Sequence, residues 1–271
     1  MIGRNPNSRY LFLKELIKCM PTKNRLTFWR AILLFIIKNM VTTNIGSPNK
    51  YLNTYTIVKN KGILFILNSN ISMGSSILSK AFEPNTFDFI SKSQGNIFVD
   101  VGAYSGVYSL LASKNFSKII AIEPNPSILP TLKTNIHINN IKNIELLEIA
   151  ASDSNSKIKL YKGLSTSTYS IKKDYFLREN NGIYFNVVGL RLDKILRNYS
   201  YIDLIKIDVE GAELNVLKGL SGVLYKINSI IIETQHKDKQ NIMCILSKFE
   251  SRILDSGDVI DIILFTKKRH T

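Results

Sequence analysis

The sequence predicts an α/β protein built on a mostly parallel, seven-stranded sheet with helices on both faces, and three observations carry that expectation. Short runs of apolar and β-branched residues recur at 97–101, 118–122, 144–149, 202–207 and 227–232, separated by stretches of helical patterning. Polar groups follow the ends of these runs, at Asp100, Glu123, Asp208, Glu233 and His236, where an open parallel sheet gathers its ligands. Finally, I-F-V-D-V-G-A-Y-S-G at 97–106 breaks a buried strand through Gly102 and Gly106 into the first turn of a helix.

Taken in order, the chain begins with a basic N-terminal extension over 1–72. A loosely amphipathic helix is expected over 9–19, ended by Pro21. The window 26–41 is the most apolar in the chain, but its uninterrupted run, 31–37, falls far short of the roughly 18 to 20 residues of a membrane span. Arg30 and Lys38 close it off, and no small-residue cleavage site follows. This helix is expected to pack on the domain, with the membrane face as its alternative, and no transmembrane span is expected. A β-hairpin follows at 55–59 and 63–67, turning at Asn60-Lys61-Gly62.

The main domain is expected over 73–271. A helix over 75–91 breaks near Pro84, and the first three parallel strands follow. Strands at 158–161 and 185–190 flank the polar segment 163–181, whose S-T-S-T-Y-S at 165–170 makes it the expected substrate-facing loop. The fourth strand, 202–207, leads to a helix over 212–224, and the fifth, 227–232, to a helix over 239–249. An antiparallel pair, 253–254 with 259–265, closes the sheet through Ser256-Gly257-Asp258.

The spacing of the glycines indicates the ligand. A dinucleotide fingerprint would need glycine where Tyr104 and Val107 stand. What stands is D-x-G-x-x-x-G, Asp100 to Gly106, the pattern with which S-adenosylmethionine (SAM) methyltransferases open their sheet. SAM carries no phosphate, so the turn needs only close backbone approach and an acid near the ligand's ammonium, which Asp100 can supply. Glu123 stands 21 residues after Gly102 at the end of the next strand, where an acid can hold both ribose hydroxyls. Small residues at Ala150 and Ser152 leave room for a flat adenine.

Further matches follow: F-E-P at 82–84, E-P-N-P at 123–126, T-L-K-T-N ending in Asn135, A-A-S-D at 150–153, R-L-D at 191–193 and L-I-K-I-D-V-E-G-A-E at 204–213. On these the chain resembles the FkbM family of SAM-dependent methyltransferases over residues 73–234, with D-V-E-G-A-E the most specific piece. It departs from the family in the cofactor turn, where Tyr104 and Ser105 replace the usual Asn-x. The resemblance implies a Rossmann-like class I methyltransferase fold with SAM as cofactor. It also implies O-methylation of a hydroxyl on a sugar, glycolipid or other small acceptor. The expected cofactor set is Glu83, Asp100, Gly102, Ala103, Tyr104, Ser105, Gly106, Glu123, Pro124, Asn125, Ala150, Ser152 and Asp208. Glu83 enters because its family counterpart lies beside the methionine end.

Methyl transfer from a sulfonium needs an aligned acceptor and, for a hydroxyl, a group to take its proton. Asp208, Glu210 and His236 are the candidates. His236 has the side chain best suited to accept a proton near neutrality, and by resemblance its E-x-x-H segment borders the acceptor site. Asp208, Glu210 and Glu233 could hold a divalent cation, but no spacing demands one and no metal is expected.

The net charge of +15 is uneven: residues 1–61 carry eleven Lys or Arg against Glu15 alone, a net of +10. Such a flank suits an anionic partner, whether acidic lipid, a phosphorylated carrier or RNA. The competing function is therefore a basic RNA- or membrane-binding protein on a methyltransferase-like scaffold, or an RNA methyltransferase. Joint retention of Asp100, Gly102, Gly106, Glu123 and Asp208 favours the enzyme, and the missing N-P-P-Y-type motif argues against base N-methylation. Cys19 and Cys244, far apart and outside any C-x-x-C, fit a reducing, cytoplasmic setting, in solution or peripheral to the membrane.

Overall fold

The computed structural model describes residues 20–21, 26, 29–30, 33, 56–67, 83–163, 169–173 and 182–268. The helix expected over 9–19, the stretch of 75–91 before Glu83 and most of 163–181 lie outside the described residues, as does most of the basic extension. Of the apolar window 26–41, Leu26, Trp29, Arg30 and Leu33 are helical and exposed. Among the described residues no helix is long and apolar enough to cross a membrane.

Strand β1 (Met20–Pro21), which the sequence pattern did not announce, pairs antiparallel with β2 (Thr56–Asn60), and β2 with β3 (Ile63–Leu67). Lys61 and Gly62, at φ 47° and 81°, make the two-residue turn whose twist suits a hairpin. Next come α1 (Pro84–Lys92), β4 (Gly95–Val101), α2 (Val107–Ala112), β5 (Phe116–Ile122), α3 (Leu129–Ile138) and β6 (Ile144–Leu147). After them run β7 (Ala150–Ala151), β8 (Ser156–Lys162), β9 (Tyr169–Ser170), β10 (Tyr184–Leu190) and α4 (Leu192–Leu196). The chain continues through β11 (Ile202–Ile207), α5 (Glu213–Leu220), β12 (Ile227–Gln235), α6 (His236–Ile245), β13 (Phe249–Ser256) and β14 (Ile260–Lys267).

The seven-stranded sheet has the order β13-β14-β12-β11-β4-β5-β6. It is parallel from β12 to β6, and β14 runs antiparallel to both its neighbours. Apolar side chains cover both faces. Val99, Val101, Ile205, Ile207, Ile230 and Ile232 pack with α4, α5 and α6 on one; Phe98, Leu204 and Ile231 pack with α1, α2 and the hairpin on the other. The strand order reverses direction at β4 and β11, the switch point where such sheets open a crevice.

Several boundaries differ from the sequence pattern. The run 144–149 ends at Leu147 as a sheet strand, and Ala150–Ala151 pairs instead with Gly189 and Leu190 of a second sheet, ordered β7-β10-β8-β9. The strands expected at 158–161 and 185–190 are antiparallel partners within that sheet. The fifth strand runs on to Gln235 because β14 templates it, with Glu233 opposite Ile262 and Thr234 opposite Asp261. Helix α6 consequently starts at His236 and ends before Phe249, which opens β13.

Two side chains bind the hairpin to the domain. Asn139 accepts from Leu64 N at 2.8 Å and donates to Leu64 O at 2.8 Å, completing the free edge of β3 as a strand would. One turn earlier on α3, buried Asn135 accepts from Ile66 N at 2.9 Å and donates to Ser105 O at 2.9 Å, so one amide joins the hairpin to the turn after β4. Val58, Ile63 and Phe65 complete the contact as members of the same buried cluster as Phe98 and Leu110.

Candidate active site

The site is built where β4 ends. Gly102 N and Ala103 N donate to Ile122 O at 2.9 and 3.0 Å, bending the chain across β5, while Asp208 N donates to Val101 O at 3.0 Å. The two strand ends come so close that a Cβ on Gly102 (φ 87°) would lie 1.8 Å from the Asp208 carbonyl oxygen. Only glycine fits there. Tyr104 is also left-handed, at φ 49°, which turns its N–H onto Glu123; Gly106, at φ 90°, then begins α2.

Glu123 is buried. Its Oε2 accepts from Tyr104 N and its Oε1 from Asn125 N, both at 2.8 Å. Burial pushes its carboxyl up to about 7 against the pull of these two N–H groups, and Asp100 and Asp208 add to the rise. Each oxygen keeps a further acceptor position.

A cavity of about 260 Å³ opens over this turn. Towards β5 and the second sheet its wall is Ile122, Glu123, Pro124, Asn125, Ala150, Ala151 and Leu160, largely apolar. Across Val101, Gly102 and Tyr104 the wall becomes acidic, with Asp208, Glu210, Glu233 and Glu83; Val209, Ala212, Tyr169 and Ile171 complete it.

Beneath the acidic end lies Lys206, 2% exposed, with Nζ 2.7 Å from Asp208 Oδ2 and 4.7 Å from the centroid of the Tyr108 ring. Register explains the grouping: Lys206 stands beside Asp100, and Asp208 and Glu233 follow two residues beyond Lys206 and Ile231 on the same face. Burial acts to lower the Lys206 pKa, but Asp208, then Glu83, Asp100 and Glu233, outweigh it and push the pKa up. Asp100 accepts from Ser109 Oγ at 2.6 Å, and burial raises its pKa against Lys206 and that hydroxyl.

Glu83 precedes α1 and makes no cap bond. Asp255 does that work from β13, accepting from Asn85 N at 3.1 Å and Thr86 N at 2.8 Å. The Glu83 carboxyl is thereby left for the Tyr108 hydroxyl, which donates to it. Burial raises the Glu83 pKa, with Lys206 opposing and Asp208 adding to the rise.

Of the residues nominated from sequence, Glu83, Gly102, Tyr104, Glu123, Pro124, Asn125, Ala150, Asp208 and Glu210 share this wall. Asp100, Ala103, Ser105 and Gly106 shape the turn from behind it. Ser152 lies beyond β7, its carbonyl packed against Gly219, where a Cβ would come within 2.1 Å. His236 is also placed outside the wall. It opens α6 with its ring 47% exposed and Nε2 3.4 Å from Asp261 Oδ1, a carboxylate that also accepts from Lys239 and Ser256.

Sequence reasoning missed Lys206, Tyr108 and Leu160, whereas Tyr169 and Ile171 fall within the segment it expected to face the substrate. The signal for Lys206 was present: a lysine inside the apolar strand L-I-K-I-D is buried only with a partner. Among the described residues no cluster of His, Cys, Asp or Glu is arranged to hold a metal ion.

A parallel sheet with a reversed, antiparallel strand near its edge, a glycine turn after its central strand, and an acid ending the next define a Rossmann-like, SAM-dependent methyltransferase. The methyltransferase FkbM domain matches residues 100–265, more than half of the chain, and the chain belongs to that family. It is 27% identical over 190 residues to methyltransferase sdnD of Sordaria araneosa, covering 58% of this chain and 73% of that protein. Among solved structures it is similar to precorrin-6y C5,15-methyltransferase from Geobacter metallireducens, with TM-score 0.43 and 15% identity over 68% of this chain and 86% of that one. Another is a putative methyltransferase from Streptococcus mutans in complex with SAH, with TM-score 0.42 and 11% identity over 68% and 96% of the two chains.

The residues present fit SAM. A buried carboxylate with acceptor positions to spare suits two ribose hydroxyls, the apolar wall suits adenine, and the acidic end suits a ligand with two cationic centres.

Proposed function

We propose that this methyltransferase transfers a methyl group to a hydroxyl of a sugar, glycolipid or other small acceptor. In this reading Glu123 holds the ribose, Pro124, Asn125 and Ala150 border the adenine, and the Gly102–Tyr104 backbone lies along the ligand. Bound SAM supplies an electrophilic methyl that needs no activation. The chain's own part is to align the acceptor and receive its proton.

The observation that carries the reading is Glu210. It stands in the left-handed region at φ 52°, ahead of Gly211 at φ 91°, and borders the cavity, whereas His236 faces Asp261. A non-glycine residue held in that conformation marks a turn whose geometry is specified. We assign the proton to Glu210, with Asp208 fixed by Lys206 as its neighbour, and leave His236 outside the reaction. Tyr169 and Ile171 come from the segment expected to face the substrate and border the same cavity. Incubation with methyl-labelled SAM and fractionated host extract tests the reading, label entering a carbohydrate or glycolipid fraction being the expected result. With that acceptor in hand, Glu210→Gln is expected to lower kcat by roughly 10² to 10⁴ while SAM affinity holds. Full rates in Glu210→Gln would refute the assignment.

A basic extension that meets an anionic carrier, and a cytoplasmic setting, are consistent with this reading and remain part of the proposal. Deleting residues 1–21 tests the first, the expected result being salt-sensitive loss of binding to anionic vesicles.

A further inference from the structure

The carboxyls at the acidic end differ in what holds them. Asp208 has Lys206, Asp100 has Ser109, and Glu83 has Tyr108. Glu233 borders the cavity on the same face, one strand beyond Asp208, and among the described residues its carboxyl has no hydrogen-bonding partner. Glu233 is half-buried, and a carboxyl in the cavity wall that draws no hydrogen bond from these residues is open to a donor or a cation inside the cavity.

Sheet order says which part of the ligand that is. If Glu123 on β5 holds the ribose, only C5′ separates the sugar from the sulfur, so the reacting centre lies over β4 and β11. Glu233 on β12 faces that position from the far side. Three strand spacings, about 14 Å, separate β5 from β12, and ribose, sulfur and the two glutamate side chains together fill such a gap.

We propose, on the reading that this cavity holds SAM, that Glu233 is the residue that tells the methyl donor from its demethylated product, by setting its carboxyl against the sulfonium. S-adenosylhomocysteine keeps the ammonium and carboxylate of SAM but has a neutral thioether. The sulfonium charge is therefore the difference between donor and product that a carboxylate can read. The charged and titratable groups facing Glu233 are Lys206 on β11, Asp208 and Glu210 after it, Glu83 before α1, and the Tyr108 hydroxyl on α2. Asp261 pairs with Thr234 on β14 and serves His236 and Lys239 instead. Burial first, then Asp208 and Glu83, holds the Glu233 carboxyl well above the usual range, and Lys206 offsets this only in part. A cation arriving beside it favours the ionised form, so the donor releases a proton on binding that the product does not.

Calorimetry on the full chain tests this without an acceptor, using SAM, S-adenosylhomocysteine and sinefungin, whose protonated amine stands in for the sulfonium. Glu233→Gln is expected to weaken SAM and sinefungin about tenfold and S-adenosylhomocysteine by less than about twofold, with Glu233→Asp recovering part of the loss. Titrations in buffers of different ionisation enthalpy are expected to show more protons released with SAM than with the product in the wild type, and no difference in Glu233→Gln. The variant is expected to fold, with an unchanged or raised Tm, because it removes an acid whose charge its surroundings disfavour. Equal loss for donor and product would overturn the proposal and place Glu233 at the ammonium; so would no loss for either. If the wild type binds neither ligand, the cofactor reading itself is refuted.

Discussion

The two faces of the main sheet use the same strands in opposite ways. On the face covered by α4, α5 and α6, Val99, Val101, Ile205 and Ile207 continue apolar to the ends of their strands, and Ile230 and Ile232 do so up to Thr234. On the other face the pattern changes partway along. Phe98 and Leu204 sit side by side in the core, the next rung is Asp100 beside Lys206, and the one after carries Asp208 and Glu233. Parallel strands buried on both sides normally read as continuous apolar runs. The departure on one face, confined to the carboxyl ends, marks the site on physical grounds before any comparison with other proteins.

The sharpest way to break this contrast is to remove one residue from each face. Lys206→Met leaves Glu83, Asp100, Asp208 and Glu233 without their common cation, and is expected to lower stability by about 3 to 5 kcal/mol near neutral pH. Ile205→Ala, on the apolar face, is expected to cost about 2 to 5 kcal/mol through the cavity it leaves. Similar totals would conceal different physics. The Lys206→Met deficit should shrink as the pH falls and the carboxyls protonate, while the Ile205→Ala deficit should not. Denaturant unfolding at several pH values separates them, and parallel pH profiles would mean that Lys206 acts by packing alone.

A smaller effect is expected at the ribose end. The Glu123 carboxyl lies near 7 because burial disfavours its charge, and it accepts two ribose hydroxyls most strongly when ionised. Since the folded value is raised, the ionised form gains population as pH rises, and SAM affinity should increase about tenfold from pH 6 to pH 8. Glu123→Gln should bind more weakly, by about 1.5 to 3 kcal/mol at the upper pH, with this slope flattened. Calorimetry across that range reads both. The smallest effect is expected at Asn135→Ala, which frees Ile66 N and Ser105 O together and should cost about 1 to 3 kcal/mol of stability, with faster hydrogen exchange at Ile66.

The sequence pattern announced the sheet because its strands are apolar runs, and it announced Gly102 and Glu123 because their roles are local to a strand end. What it could not show depends on contacts between distant residues. That Asp255 caps α1 from 170 positions away, freeing Glu83, follows from the β13 edge lying against that helix. That 158–161 and 185–190 leave the main sheet follows from their pairing with each other and with Ala150–Ala151. The R-L-D piece matched a family pattern, yet Arg191 works as a staple. It pairs with Asp193 and donates to Asp153 O at 3.0 Å and Lys218 O at 3.3 Å, fastening the second sheet to α5.

The Asn135 amide bears on how this chain can be divided. A fragment starting at Met73 would retain every motif of the methyltransferase, yet Asn135 and Asn139 would face water where Ile66 and Leu64 had been, and Phe98 and Leu110 would lose the apolar cover of Val58, Ile63 and Phe65. The hairpin is thus foundation rather than appendage. Recombination or truncation that respects this architecture must cut ahead of Thr56, and a library of shortened chains should show its soluble survivors beginning there.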